Sequence, residues 1–148
     1  METKLLIIFP NKNDAQRIQN LIKSNYNNIN IFILNDVNNI SIIIEKEQPE
    51  LILFDVDFPN ININSILHDT YPYIHEYRIP LIVLSGTSDY KNILEAGATN
   101  FIHKPFSDIT LISNLTSAIK FLRSFKAIEQ QEKEIAKKVK EFNKSSKG

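Results

Sequence analysis

The stretch ELILFDVDFPN, Glu50 to Asn60, joins a buried-strand pattern to a pair of carboxylates. Its run Leu51–Phe54 is apolar without alternation, which is typical of a strand covered on both faces of a parallel sheet. Asp55 and Asp57 follow directly. Because a carboxylate at the end of a buried strand is costly unless it is paired, the stretch predicts a polar site at the edge of a sheet.

The rest of the chain repeats this pattern of strand followed by helix. Four more apolar runs predict strands, at residues 4–9, 29–34, 80–85 and 100–103. Segments with helical spacing separate the runs, at residues 15–24, 36–47, 63–70 and 89–98. Such alternation predicts an α/β fold, a doubly wound parallel sheet of five strands with helices on both faces.

Local signals predict where several helices begin and end. Asp14, Asp36 and Ser88 are expected to cap the first, second and fourth helices. Gly97 is expected to end the fourth helix. Pro72 is expected to break the third helix.

Composition and charge narrow the classes of function. The 148 residues suffice for one compact domain. With 17 basic and 17 acidic residues the net charge is zero, so no electrostatic force draws the chain to nucleic acid or to an anionic membrane. No cysteine is present, which excludes disulfides and thiolate chemistry. The apolar run at the N-terminus ends at Pro10, too early for a signal sequence or a membrane span, and we expect a soluble, cytoplasmic protein.

A long helix is predicted from Asp108 to Phe142, since this stretch has no glycine or proline, and the last six residues are expected to fray. Its apolar positions follow a spacing of four and three residues, interrupted at Glu132, as in a coiled coil. This apolar stripe comprises Phe121, Phe125, Ile128, Ile135, Val139 and Phe142. We therefore expect a domain at 1–122, a helical extension at 123–148, and a homodimer through this helix. A solvated, partly helical tail is the alternative.

Functional residues of a doubly wound sheet gather beyond the carboxyl ends of its central strands. At those ends the sequence has Asp55 on the third strand, Ser85 on the fourth and Lys104 after the fifth. A carboxylate, a hydroxyl and an ammonium group are therefore expected to converge, which indicates chemistry rather than packing.

These residues resemble the three motifs of the receiver domain of response regulators. The segment PELILFDVDFPNI is similar to the phosphoacceptor strand and its loop, with Asp55 at the phosphorylated position. The segment LIVLSGTSD matches the hydroxyl motif at Ser85. The segment EAGATNFIHKPF matches the aromatic switch position at Phe101 and the lysine at Lys104, before a proline whose peptide bond is cis in the family. The likeness covers about residues 4–122, with the motifs in the family's order and spacing.

The resemblance implies a flavodoxin-like (βα)5 fold and a role in two-component or phosphorelay signalling rather than an enzyme. A sensor histidine kinase or a phosphotransfer protein would be its partner. In the family the aspartate accepts a phosphoryl group whose charge is neutralised by Mg²⁺ and the lysine. Displacement of Ser85 toward that group would let Phe101 turn inward and shift the face formed by the fourth helix, fifth strand and fifth helix.

The sequence departs from the family pattern at the metal site. The acidic pair that binds Mg²⁺ in the family falls on Phe9 and Pro10, and neither side chain is a ligand for a hard cation. Asn11 and Asp57 remain as candidate metal ligands and would form a weak site. We therefore expect a degenerate receiver that acts as an interaction and dimerisation module. The alternatives are a working, Mg²⁺-dependent phosphoacceptor at Asp55 that regulates a downstream output domain, and a plain scaffold in which Asp55 has no chemistry.

Other classes of site are disfavoured by the sequence. His68 and His75 are seven residues apart with Pro72 between them, unlike the histidine pair of a helical zinc site. Ser85 lacks the glycine-flanked elbow of a hydrolase nucleophile. The loop FPNKND after the first strand lacks the glycine-rich or hydroxyl-rich cradle of a nucleotide or flavin site.

Overall fold

The computed structural model describes residues 2–146, which form one sheet with helices on both faces. The elements, in chain order, are β1 (Thr3–Ile8), α1 (Lys12–Asn25), β2 (Ile29–Leu34), α2 (Ile40–Glu47), β3 (Leu51–Asp55), α3 (Ile63–Tyr77), β4 (Leu81–Ser85), α4 (Tyr90–Glu95), β5 (Asn100–His103) and α5 (Asp108–Ser146). The strands lie in the order β2-β1-β3-β4-β5, and every neighbouring pair is parallel. The predicted fold class, a flavodoxin-like sheet of five parallel strands with an extended final helix, is confirmed.

Each face of the sheet has its own apolar core. Alternate side chains of β1 divide between the two cores, with Leu5 and Ile7 on one face and Leu6 and Ile8 on the other. Helices α1 and α5 cover the first face, whereas α2, α3 and α4 cover the second. The central strands β3 and β4 are buried along their whole length, so packing on two sides fixes the position of their carboxyl ends.

Asn11, and not Asp14, caps the first helix. The side-chain oxygen of Asn11 accepts hydrogen bonds from the backbone amides of Asn13 at 2.8 Å and Asp14 at 3.0 Å. The helix therefore begins earlier than the sequence predicted, and Asp14 lies inside its first turn. There its negative charge interacts favourably with the positive end of the helix dipole. An acidic residue in this segment is therefore still a signal for the start of a helix.

The second and fourth helices begin later than expected. Asn39 and Asp89 occupy the N-cap positions predicted for Asp36 and Ser88, and neither makes a side-chain capping bond. At the other end of α4, Gly97 has a φ of +112°, a conformation that strongly favours glycine, so its predicted role in ending this helix is confirmed.

Helix α3 continues through Pro72, so the predicted break was wrong. A proline removes one backbone donor and crowds the preceding turn, at a cost of about 3 kcal/mol. Leu67 and Ile74 lie on either side of Pro72, and both side chains are buried in the core. Tertiary packing of this face offsets the local cost, because most helix stability in proteins comes from such packing.

Helix α5 has a buried first part and an exposed second part. Leu111, Leu115 and Leu122 are buried against the sheet. The side chains described after Leu122, up to residue 145, are exposed or half-buried. At 1.5 Å per residue, the stretch from residue 123 to residue 146 is about 36 Å long. Within residues 2–146, no helix has the length and apolar character needed to span a membrane.

Three contacts hold α5 against the body where it leaves the sheet. The guanidinium of Arg78 lies 5.0 Å from the centre of the Phe125 ring and 3.9 Å from a carboxylate oxygen of Glu129. Lys126 forms an ion pair with Glu50. The first two turns of the extension, about residues 123–129, therefore have a defined orientation relative to the sheet.

Candidate functional site

Asp55 and Lys104 form an ion pair at the carboxyl end of the sheet. The ammonium nitrogen of Lys104 lies 2.5 Å from Oδ2 of Asp55, whose side chain is only 5% exposed. The backbone amide of Lys104 donates to the carbonyl of Ser85 at 2.8 Å, which holds the lysine beside the end of β4. The Lys104–Pro105 peptide bond is cis, as the resemblance implied. The charge of a nearly buried carboxylate at the end of β3 is thus compensated by a cation that follows β5, on the far side of β4.

Asp57 is surrounded by three donors from the ends of β4 and β5. Ser85 Oγ donates to Oδ1 of Asp57 at 2.6 Å, and the backbone amide of Gly86 donates to Oδ2 at 2.8 Å. The ammonium nitrogen of Lys104 lies 3.2 Å from the same Oδ2. The backbone amide of Asp57 in turn donates to Oδ1 of Asp55 at 3.0 Å. The two carboxylates therefore share one lysine and lie side by side.

Ser85 is completely buried, and its hydroxyl has partners on both sides. It donates to Asp57 and accepts a hydrogen bond from the backbone amide of Thr87 at 3.1 Å. The sheet register pairs Ser85 with His103, so the hydroxyl lies next to the chain segment that leads to Lys104. Ser85, Asp55 and Lys104 thus lie at one edge of the sheet, as their positions in the sequence indicated. The hydroxyl of Ser85, however, donates to Asp57 and not to Asp55.

These contacts shift the pKa values of two groups. Partial burial alone would raise the pKa of Asp57, but the hydrogen bonds from Ser85 and Gly86 and the charge of Lys104 outweigh it, so the pKa lies below its ordinary value of 3.8. Partial burial alone would lower the pKa of Lys104, but the hydrogen bonds and charges of Asp55 and Asp57 outweigh it, so the pKa lies above 10.5. Both groups are therefore charged at neutral pH.

Phe101 lies half-buried on β5, next to Val83 in the sheet register. Its side chain packs against the core under α2, α3 and α4. The centre of its ring is 6.0 Å from that of Tyr90 and 6.5 Å from that of His103. The aromatic side chain is thus placed beside the first residue of α4, and its role as a switch stays a prediction.

The side chains present do not fit Mg²⁺. Phe9 is buried and, with Asp55 and Lys104, lines an open cleft of about 370 Å³. The side-chain oxygen of Asn11 caps α1, and both carboxylate oxygens of Asp57 accept from protein donors. Mg²⁺ requires near-octahedral coordination by oxygen, whereas residues 2–146 contain no group of three or more His, Cys, Asp or Glu side chains placed to hold a metal. The oxygens proposed as ligands are engaged elsewhere.

The sequence did not reveal the partners of Asp57. One signal was available: in an extended chain, residues two apart point to the same side, so Asp55 and Asp57 were placed to share a cation. Which donors close around Asp57 depends on the loop after β4, whose path the residue types alone do not determine. The three histidines at 68, 75 and 103 are exposed; His68 and His75 lie on α3, and His103 pairs with Ser85 in the sheet register.

Comparison of the sequence with family models and curated proteins does not assign the chain to a family. No family model matches the chain. A curated relative, one component of the nuclease SbcCD of Staphylococcus epidermidis, is 32% identical over 81 residues, a match that covers 51% of this chain and 22% of that protein. The chain therefore spans about a fifth of the length of that relative, too little to transfer an activity.

Comparison with solved structures identifies the fold. The signal receiver domain attributed to a LuxO repressor protein of Vibrio parahaemolyticus has a TM-score of 0.72 at 19% identity, over 87% of this chain and 98% of that one. A CheY-like receiver domain protein of Methanospirillum hungatei has 0.72 at 18% identity, over 84% and 98%. The receiver domain of the Francisella response regulator 1452 has 0.67 at 24% identity, over 80% and 98%. With five parallel strands in one sheet, helices on both faces and this structural similarity, the chain has the CheY-like fold of response-regulator receiver domains.

Proposed function

We propose that the chain is a receiver-type module of two-component or phosphorelay signalling that works through protein contacts and dimerisation and has an atypical phosphorylation site. The receiver fold supports the signalling class. The ion pair of Asp55 and Lys104, with Ser85 nearby, supports a site of receiver type. Such a module is not an enzyme, and a sensor histidine kinase or a phosphotransfer protein is its expected partner.

The exposed apolar stripe of α5 is the observation that carries this proposal. Its side chains beyond the sheet point into solvent although they are large and apolar, with exposures between 52% and 72% for Phe121, Ile128, Ile135, Val139 and Phe142. The spacing of four and three residues is that of helices packed in a coiled coil. A second copy of this chain is the occupant we propose, because its stripe has the same spacing and length.

The dimer seam is expected to begin near Ile128. Phe125 is half-buried under Arg78 of the same chain, so part of its ring is already covered. From Ile128 onward the stripe has no such cover in the described residues, and three further members follow at Ile135, Val139 and Phe142. The proposed division is therefore a body at 1–122 and a dimerisation helix in the extension that follows.

Sedimentation equilibrium of the full chain tests the dimer. Wild type should be dimeric at about 100 μM, and Ile135→Lys should weaken association about tenfold or more, because it places a charge in the apolar seam. Gln130→Lys is the matched control: it introduces the same charge on the opposite side of the helix and should sediment as wild type. A wild-type monomer at this concentration, or equal effects of the two variants, would contradict the proposed dimer.

A working phosphoacceptor is the second candidate function, and one observation favours it. Asp55 is nearly buried beside Lys104 at the position that is phosphorylated in receiver domains. In that case phosphorylation of Asp55 would regulate a downstream output domain. Sensitivity to an acyl-phosphate donor separates the two candidates, and dimerisation that survives Asp55→Asn supports a module in which Asp55 has no chemical role.

Beryllofluoride, an acyl-phosphate mimic, tests the phosphoacceptor directly. We would titrate Mg²⁺, and then Mg²⁺ with beryllofluoride, into isotope-labelled protein and follow the amide signals of Asp55, Ser85, Phe101 and Lys104. Saturable shifts that reach Phe101, and that vanish in Asp55→Asn, would establish the phosphoacceptor. No response at millimolar Mg²⁺ supports the degenerate site.

A further inference from the structure

The three donors around Asp57 form a cradle for an oxyanion. They are a buried hydroxyl from Ser85, a backbone amide from Gly86 and the ammonium of Lys104, at 2.6, 2.8 and 3.2 Å from the carboxylate. A hydroxyl, an amide and a cation directed at one carboxylate are the kind of donors that proteins use to bind charged oxygen acceptors. This cradle is defined here by Ser85, Gly86 and Lys104.

In this structure the cradle is filled by the side chain of Asp57 from the same chain. Asp57 contributes a carboxylate with two oxygens, and each oxygen accepts from a different part of the cradle. Its side chain is 38% exposed, so the cradle opens toward solvent once this side chain is removed. Ser85, in contrast, is completely buried and stays in place through the packing of β4.

The cradle lies directly beside Asp55. The amide of Asp57 donates to Oδ1 of Asp55, and Lys104 contacts Oδ2 of Asp55 as well as Oδ2 of Asp57. Any oxyanion that reached the cradle would therefore lie next to the candidate phosphoacceptor. It would also meet the negative charge of Asp57, which is tethered to the site and needs no diffusion to return.

We propose that Asp57 is an internal ligand that fills the oxyanion cradle and keeps external phosphate-like anions out of it. The resting chain is thereby held in a self-liganded state, with the hydroxyl and the ammonium already engaged. This inference rests on the proposed receiver-type role of the site but not on dimerisation. Removal of the Asp57 carboxylate is expected to open the cradle to a free tetrahedral oxyanion.

Inorganic phosphate is the probe that tests this inference. It would be titrated into the isotope-labelled full chain while the amide signals of Gly86, Thr87 and Lys104 are followed. We expect Asp57→Ala to bind phosphate with saturable shifts at these amides and with an affinity at least about tenfold above wild type. Asp57→Asn keeps the shape but removes the charge, and it serves as the second variant if Asp57→Ala does not fold.

Two controls make the result specific. Asp69→Ala removes one exposed carboxylate on α3, so it matches the change in net charge and should bind phosphate as wild type does. Adding Ser85→Ala to Asp57→Ala removes one donor of the cradle and should lower the gained affinity. Equal phosphate affinity of wild type and folded Asp57 variants, or binding that survives loss of Ser85, would overturn the inference. Neither result bears on the sedimentation of the dimer, so the two proposals fail separately.

Discussion

Lys104 compensates the charge of Asp55, with 2.5 Å between the ammonium nitrogen and Oδ2. The carboxylate is nearly buried, whereas the lysine is about one-third exposed. The pair is therefore asymmetric: loss of the lysine leaves a charge in a poorly solvated place, while loss of the carboxylate leaves a cation that reaches water.

Lys104→Met should destabilise the chain by about 2–4 kcal/mol, because the nearly buried carboxylate of Asp55 then has no cation beside it. Urea unfolding at neutral pH measures this change. Adding Asp55→Asn should restore part of the loss, since the unpaired charge disappears. Lys91→Met, on an exposed residue of α4, is the control and should change the stability little. If Lys104→Met proves as mild as the control, the ion pair contributes nothing to stability.

Acid should remove the stabilising contribution of Asp57. Its pKa in the folded chain lies below 3.8, so its contribution is fully present above that pH and is lost as the pH falls through the lower folded value. The difference in unfolding free energy between wild type and Asp57→Ala should therefore be constant from about pH 5 to pH 8 and shrink below about pH 4. Urea titrations at a series of pH values measure it, and a difference that grows on acidification would contradict the assigned hydrogen bonds.

Gly97→Ala should destabilise the end of α4 for two separate reasons. The φ of +112° is strained for any residue with a Cβ, and a Cβ at this position would lie 2.5 Å from Cδ2 of Tyr71. We expect a loss of about 1–3 kcal/mol in thermal or urea unfolding. In a Tyr71→Ala background the clash is absent and only the backbone strain remains, so the same substitution should cost less. Equal costs in both backgrounds would show that Tyr71 moves aside freely.

Glu132→Leu should strengthen the proposed dimer. Glu132 interrupts the apolar stripe of α5, so in a helix pair its charge would be drawn into the seam at a cost. We expect the dimer to tighten about tenfold in sedimentation equilibrium. Glu134→Leu adds the same apolar group away from the seam and is the control. Equal tightening by both variants would indicate unspecific association rather than a coiled coil.

Much of this architecture could be predicted from residue order alone. The unbroken apolar runs predicted five strands covered on both faces; β1, β3 and β4 are buried, whereas the edge strands β2 and β5 are mostly half-buried. The absence of glycine and proline predicted α5 as far as Phe142, four residues short of its end at Ser146. The convergence of Asp55, Ser85 and Lys104 followed from the rule that parallel strands end at one edge of the sheet.

The remaining details depend on tertiary contacts. In the segment from Asn11 to Asp14 both end residues are good caps, and in the folded chain Asn11 has the extended backbone and the side-chain hydrogen bonds of the cap. The continuation of α3 through Pro72 depends on packing that no local signal reports. The engagement of Asp57 depends on where the loop after β4 places Gly86.

Because α5 continues without a break, a small tilt of the helix at the sheet becomes a larger displacement of its part beyond the sheet, at 123–146. Leu115 and Leu122 rest on the sheet, and the same helix continues about 36 Å beyond them without a hinge residue. A tilt of about 5° at the sheet would move the far end of that helix by about 3 Å. Small rearrangements near the strand ends would thus reach the tip as displacements comparable to the size of a side chain.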